Sequence, residues 1–155
     1  MEYKNPTPTT DVIVYRTSQE HGLEVLLIER SNPPHGWALP GGFVDEGEMV
    51  EAAAVREVLE ETHLSINLDA LLYVYSNPNR DTRQHNLSVV YTSEISWKDS
   101  LNAKGGDDAA QAQFFSVDTL PTLVFDHSEI LQDFMRFIQT GEKPHPMMKW
   151  NAEKS

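Results

Sequence analysis

Glu57, Glu60 and Glu61 stand at i, i+3 and i+4. On a helix, at about 100° per residue, their carboxylates fall within an arc of roughly 100° on one face. Like charges so placed repel by roughly 0.2–0.5 kcal/mol per pair, so the cluster makes most sense with a neutralising partner. Oxygen-only donors of this charge suit a hard divalent cation, magnesium first, with manganese as a substitute. Arg56 adjoins the cluster, and Glu48 lies eight residues before it. The plain alternative is a solvated acidic face with an Arg56–Glu60 ion pair. The wider spacing and the Pro40-Gly41-Gly42 that precedes it argue for the metal.

These carboxylates need a helix and an anchor. The pattern predicts a helix from about Glu48 to Thr62, with Ala52, Val55, Val58 and Leu59 as the apolar face opposite the acids. Ala53 and Ala54 then flank the acidic face and leave room above it. Leu39-Pro40-Gly41-Gly42-Phe43 reads as a glycine-rich loop feeding the helix, where missing Cβ atoms permit close approach.

The stretch from Gly42 to Leu64 resembles the signature of the Nudix hydrolases, G-x5-E-x7-R-E-U-x-E-E-x-G-U with U aliphatic. Gly42, Glu48, Arg56, Glu57, Val58, Glu60, Glu61 and Leu64 match in register, and His63 stands where the family has glycine. The resemblance implies an α/β fold, an α/β/α sandwich with a mixed sheet. It also implies magnesium-dependent attack of water on a diphosphate bridge, with Glu57, Glu60 and Glu61 as metal ligands. A backbone carbonyl of Gly41 or Gly42 could join them. Arg56 would orient a carboxylate, and Glu48 would pair with Arg56 or bind a second metal. His63 falls where a left-handed residue commonly ends a helix, at a cost of about 1 kcal/mol relative to glycine.

Weaker echoes point to the branch of that family that cleaves ADP-ribose and related nucleoside diphosphate sugars. They are Trp37–Val44, the Asn79–His85 loop with Arg80 and Arg83, Gly106-Asp107-Asp108, and Phe125-Asp126-His127. Under this reading Arg80 and Arg83 contact phosphate or ribose, as guanidinium forks suit phosphate oxygens. Asp107 and Asp108 either form a turn or close on substrate, one as general base. Asp126 reads as an N-cap, with Glu129 completing a capping box. The implied reaction converts ADP-ribose to AMP and ribose 5-phosphate. A nucleoside triphosphate pyrophosphohydrolase and a non-catalytic ADP-ribose sensor are the alternatives.

The rest of the chain bounds these readings. Its 155 residues suit one domain, with a core from about 10 to 141 between a polar arm at residues 1–9 and a tail. Strands are expected at Asp11–Arg16, Glu24–Glu29, Trp37–Leu39, Leu71–Tyr75, Asn86–Thr92 and Ala112–Ser116, and a second helix at Asp126–Thr140. There are no cysteines, which excludes disulfides, thiolate catalysis and Cys-ligated zinc. The net charge of −12 opposes binding to nucleic acid or an anionic membrane. No apolar run or N-terminal h-region is present, and a cytoplasmic protein is expected. Met147-Met148-Lys149-Trp150 could pack on a partner subunit in a homodimer.

Overall fold

A computed structural model describes residues 2–146. The Met147–Trp150 tail lies outside the described residues. Seven strands form one sheet: β1 (Thr7–Ser18), β2 (Gly22–Arg30), β3 (Trp37–Ala38), β4 (Gly41–Phe43), β5 (Ala70–Tyr75), β6 (Asn86–Glu94) and β7 (Ala109–Ser116). Three helices accompany them: α1 (Val50–Thr62), the four-residue α2 (Trp97–Ser100) and α3 (His127–Thr140). The sheet order is β3-β2-β1-β6-β5, with β4 also on β1 and β7 also on β2. The β1–β6 pair is parallel and the others are antiparallel, so the sheet is mixed as expected.

The apolar runs of β1 and β2 alternate between two covered faces. Ile13, Val25 and Leu27 point to Ile130, Leu131 and Phe134 of α3. Val12, Val14 and Leu26 point to Ala54 and Val58 of α1. This is the helix–sheet–helix layering that two-sided hydrophobic strands require. Arg16 braces the turn end of the β1–β2 hairpin. Its guanidinium lies between the rings of Trp97 and Phe114, at 3.8 and 4.0 Å from their centroids, and pairs with Glu24.

Several expectations are corrected. The polar arm expected at residues 1–9 is shorter: β1 begins at Thr7, and Thr7 pairs with Asn86 of β6, while residues 2–6 are irregular and exposed. Short polar residues hid this strand start, yet their backbone groups complete the parallel ladder. The glycine-rich segment is strand β4, bonded to Thr9–Asp11 rather than looped. Helix α1 starts at Val50, two residues later than the pattern suggested. Its buried side is Ala53, Ala54, Val58, Glu61 and Thr62. Ala52 and Leu59 face solvent instead, because the helix is rotated to press its small alanines and Glu61 against the sheet.

Candidate active site

Glu61 is buried at 4% exposure, and its Oε1 accepts the Gly41 N–H at 2.8 Å. Glu57, one turn earlier, lies against Gly42. A Cβ on Gly42 would stand 2.5–2.6 Å from the Glu57 carboxylate, so only glycine admits that approach. Pairing of β4 with β1 places Gly41 opposite Asp11 and Gly42 opposite Thr10. The sheet centre thus sets the distance between the glycine backbone and the acids on α1.

Arg56 runs through the acidic cluster. Its Nε and Nη2 donate to the two oxygens of Glu48 at 2.8 and 2.9 Å, and Nη1 donates to Glu57 at 2.9 Å. Weaker contacts at 3.3 Å reach Glu60, and Nη2 also donates to the Phe43 carbonyl at 3.1 Å. The expected Arg56–Glu48 pair is therefore present as a fork. Hydrogen bonds from Arg56 hold the Glu48 carboxyl down at about 2. The other acids shift the opposite way. Burial pushes Glu57 up to about 7 against the pull of Arg56. Burial pushes Glu61 up to about 8, opposed by the Gly41 N–H and reinforced by the charges of Glu57 and Asp11.

Two crowded carboxyls that resist ionisation beside a glycine backbone form an all-oxygen donor set. It fits a hard divalent cation, whose charge would reverse both shifts. Glu57, Glu61, exposed Glu60 and the Gly41 or Gly42 carbonyl are the groups that could hold one. Among the described residues, no three acidic or imidazole side chains are already gathered into a cage. Arg56 occupies Glu57 and Glu60 instead.

A cleft of about 250 Å³ opens from these acids. Its wall carries Arg30, Arg83, Asp108, Phe125 and Asn86, and its floor carries Thr9 and Asp11 of β1. Sequence reasoning expected Arg83 and Asp108 there. Arg83 is half exposed and forks onto Asp81 at 3.0 and 2.8 Å. Asp108 accepts from Asn32 Nδ2 at 3.2 Å. Asp107 sits in the adjoining turn with φ 52°, and its charge adds to the upward push on Glu57.

Arg80 differs from expectation. Its side chain is 5% exposed and donates through Nε and Nη2 to Asp126 at 2.9 and 2.7 Å. It lines the cleft but its charge is already matched. Asp126 for the same reason caps nothing: it precedes α3, yet its carboxylate is turned to Arg80 and makes no capping hydrogen bond. His127 is buried and accepts the Leu39 N–H through Nδ1 at 2.9 Å, joining α3 to the end of β3. Burial lowers the imidazole's proton affinity, against the nearby Asp11 and Asp126.

His63 ends α1 in the left-handed region, φ 63° and ψ 13°. Its side chain also makes a contact that sequence could not show. Nδ1 lies 2.9 Å from the Lys104 carbonyl, and the Lys104 N–H donates to Thr62 O at 3.0 Å. Gly106 presses on this junction so closely that a Cβ would stand 2.7 Å from Glu60 O. The loop carrying Asp107 and Asp108 is thus pinned to the C-terminus of α1. Arg30 was missed in the sequence, and Phe125 was noted only as part of the Phe125-Asp126-His127 echo, with no place in the site. Arg30 ends an apolar strand, which is the one sign it offered. Phe125 holds φ 56° and has the guanidinium carbons of Arg30 and Arg83 at 5.1 and 5.3 Å from its ring centroid.

The profile of the NUDIX domain matches residues 5–134. The chain belongs to the NUDIX family. Among relatives of this Nudix chain, an ADP-ribose pyrophosphatase from Methanocaldococcus jannaschii is 43% identical over 87% of the chain and 76% of its own length. An ADPR-responsive transcriptional repressor from Acinetobacter baylyi is 32% identical over 84% of the chain, which spans only 54% of that protein. Of solved structures, a MutT/nudix family protein from Enterococcus faecalis superposes with TM-score 0.78 at 32% identity, over 90% of this chain and 64% of that one. The NUDIX domain of Shewanella oneidensis NrtR, in complex with ADP ribose, gives TM-score 0.77 at 27% identity, over 88% and 90% of the two chains. The mixed, open sheet with flanking helices is the fold these neighbours share.

Proposed function

We propose that this Nudix chain hydrolyses the diphosphate bond of ADP-ribose, giving AMP and ribose 5-phosphate. The observation that carries the reading is the placement of Glu57 and Glu61 on Gly41-Gly42 at the mouth of a cleft whose wall bears Arg30 and Arg83. The Methanocaldococcus relative's ADP-ribose pyrophosphatase name supports the substrate. In this reading Glu57, Glu60, Glu61 and the Gly42 carbonyl hold magnesium, which neutralises diphosphate oxygens and makes phosphorus electrophilic when bound. Arg56 keeps Glu57 and Glu60 aimed into the site and ties both to Glu48. Arg30 and Arg83 offer N–H donors to phosphate oxygens, the latter from a face that Asp81 leaves free. Arg80 positions the wall through Asp126. Asp107 and Asp108 complete the rim, and a carboxylate among the acids takes the proton of the attacking water.

The test is a screen with magnesium of ADP-ribose, other nucleoside diphosphate sugars, dinucleoside polyphosphates and triphosphates. ADP-ribose is expected to give the highest kcat/KM. Products formed in oxygen-18 water identify the phosphorus attacked. Higher kcat/KM for a triphosphate would overturn the substrate. A sensor reading draws on the 32%-identical ADPR-responsive repressor, and tight ADP-ribose binding without turnover would favour it.

A further inference from the structure

Asn86 carries a polar atom that the fold leaves unanswered. The residue is 3% exposed and begins β6 at the cleft wall. Its Nδ2 donates to Asp81 Oδ2 at 2.7 Å, and its Oδ1 has no hydrogen-bond partner among the described residues. The orientation of the amide is fixed chemically. A carboxylate only accepts, so the nitrogen must face Asp81 and the oxygen must face away. Asp81 is itself immobilised, with the Arg83 backbone N–H and Nε on Oδ1 and Arg83 Nη2 sharing Oδ2 with Asn86. A buried acceptor without a donor is costly, and such atoms need an explanation.

We propose that Asn86 Oδ1 reads the nucleobase, accepting a hydrogen bond from an exocyclic amine such as that of adenine. The inference rests on the ADP-ribose reading and deepens it. Position favours the base over the sugar. Asn86 is in register with Thr7, and Gly41 with Asp11, four residues further along β1. At about 3.3 Å per residue that is roughly 13 Å along the strand. An adenylate spans such a length from its 5′-phosphate to its amino group, and a ribose phosphate does not. The same wall offers a flat surface for a base, the Phe125 ring. The acceptor and its support are built before any ligand arrives, which is how a site rejects an analogue that lacks the matching donor.

The experiment compares ADP-ribose with inosine diphosphate ribose, in which a carbonyl replaces the amine. In the wild type, kcat/KM for ADP-ribose is expected to exceed that for the inosine analogue by about tenfold or more. Asn86→Ala should lose that preference, through a drop with ADP-ribose and little change with the analogue. Equilibrium binding of the same two ligands in EDTA should show the same preference without turnover. A wild-type ratio near one overturns the proposal, and it needs no variant to fold. So does an equal loss for both ligands in Asn86→Ala, which would place the acceptor on a sugar hydroxyl. Base-selective binding with no hydrolysis of either ligand would sustain the role of Asn86 and sink the hydrolase reading.

Discussion

Glu61 is a burden on the fold that the site makes useful. A carboxyl whose folded value is raised binds protons more tightly in the native state, so its penalty appears as pH climbs from its unfolded value of about 4.5. Stability is therefore lost between about pH 4.5 and 8, the folded value of Glu61. Glu61→Gln should melt higher than the wild type at pH 8 in EDTA, and equally at pH 4, while losing activity by orders of magnitude. Equal melting at both pH values would show that Glu61 is not strained. Arg80 makes the opposite case. Because its partner Asp126 is nearly buried, Arg80→Ala should cost about 3 kcal/mol of stability, read by urea unfolding. Arg83→Ala strips the guanidinium from the buried Asp81, so it should also lose stability, and it should raise KM for ADP-ribose about tenfold. At this scale the signature acids were legible because their spacing matches a helix. The two arginines were not separable, since Arg80 and Arg83 look alike in sequence, both fork onto an aspartate, and only their exposure in the fold distinguishes them.

The junction of α1 with the Lys104–Asp108 loop shows what elements add. At an end forced into positive φ, glycine relieves about 1 kcal/mol of strain, and His63→Gly loses one exposed hydrogen bond of similar worth. Its stability should thus change by less than ~1 kcal/mol. Its kcat/KM should fall several-fold, because the rim acids lose one of their two ties to the helix that carries Glu57 and Glu61. An unchanged kcat/KM would leave His63 as a helix terminator only. The αL ending was readable from the family pattern, whereas the Lys104 contact joins residues forty-one apart and has no local signal. The strand start at Thr7 and β4 escaped for the same reason: both are polar or glycine-rich, and their pairing lies in distant chain segments.

For the whole molecule, charge is the governing quantity. A net charge of −12 repels itself, and seven acids fall between Asp45 and Glu61. Melting temperature should rise between about 20 and 200 mM sodium chloride through screening. Millimolar magnesium should raise it further at constant ionic strength, by mass action on the folded state. The magnesium increment should vanish in the Glu57→Gln, Glu61→Gln double variant, and persistence of the full increment would place the cation elsewhere. Among the described residues no helix is long and apolar enough to cross a membrane. Layering on both faces was legible from the two-sided apolar strands. The strand order was not, because alternation tells which face a residue takes and not which neighbour it meets.

The parallel β1–β6 pair and the β2–β7 pair carry a consequence for biosynthesis. The β1–β2 hairpin leaves the ribosome before the other described elements, apolar on both faces and with both edges open. The short β3 and β4 follow soon and cover only a few residues of it, whereas its long neighbours arrive only with Asn86–Glu94 and Ala109–Ser116. At about 5–20 residues per second, Ser31 to Ser116 takes roughly 4–17 s to translate. For that time the nascent hairpin is a sticky edge that other chains can extend. Chains arrested at Asp108, before β7, should sediment as aggregates or remain bound to chaperones, whereas chains arrested at Gly141 should be soluble once released.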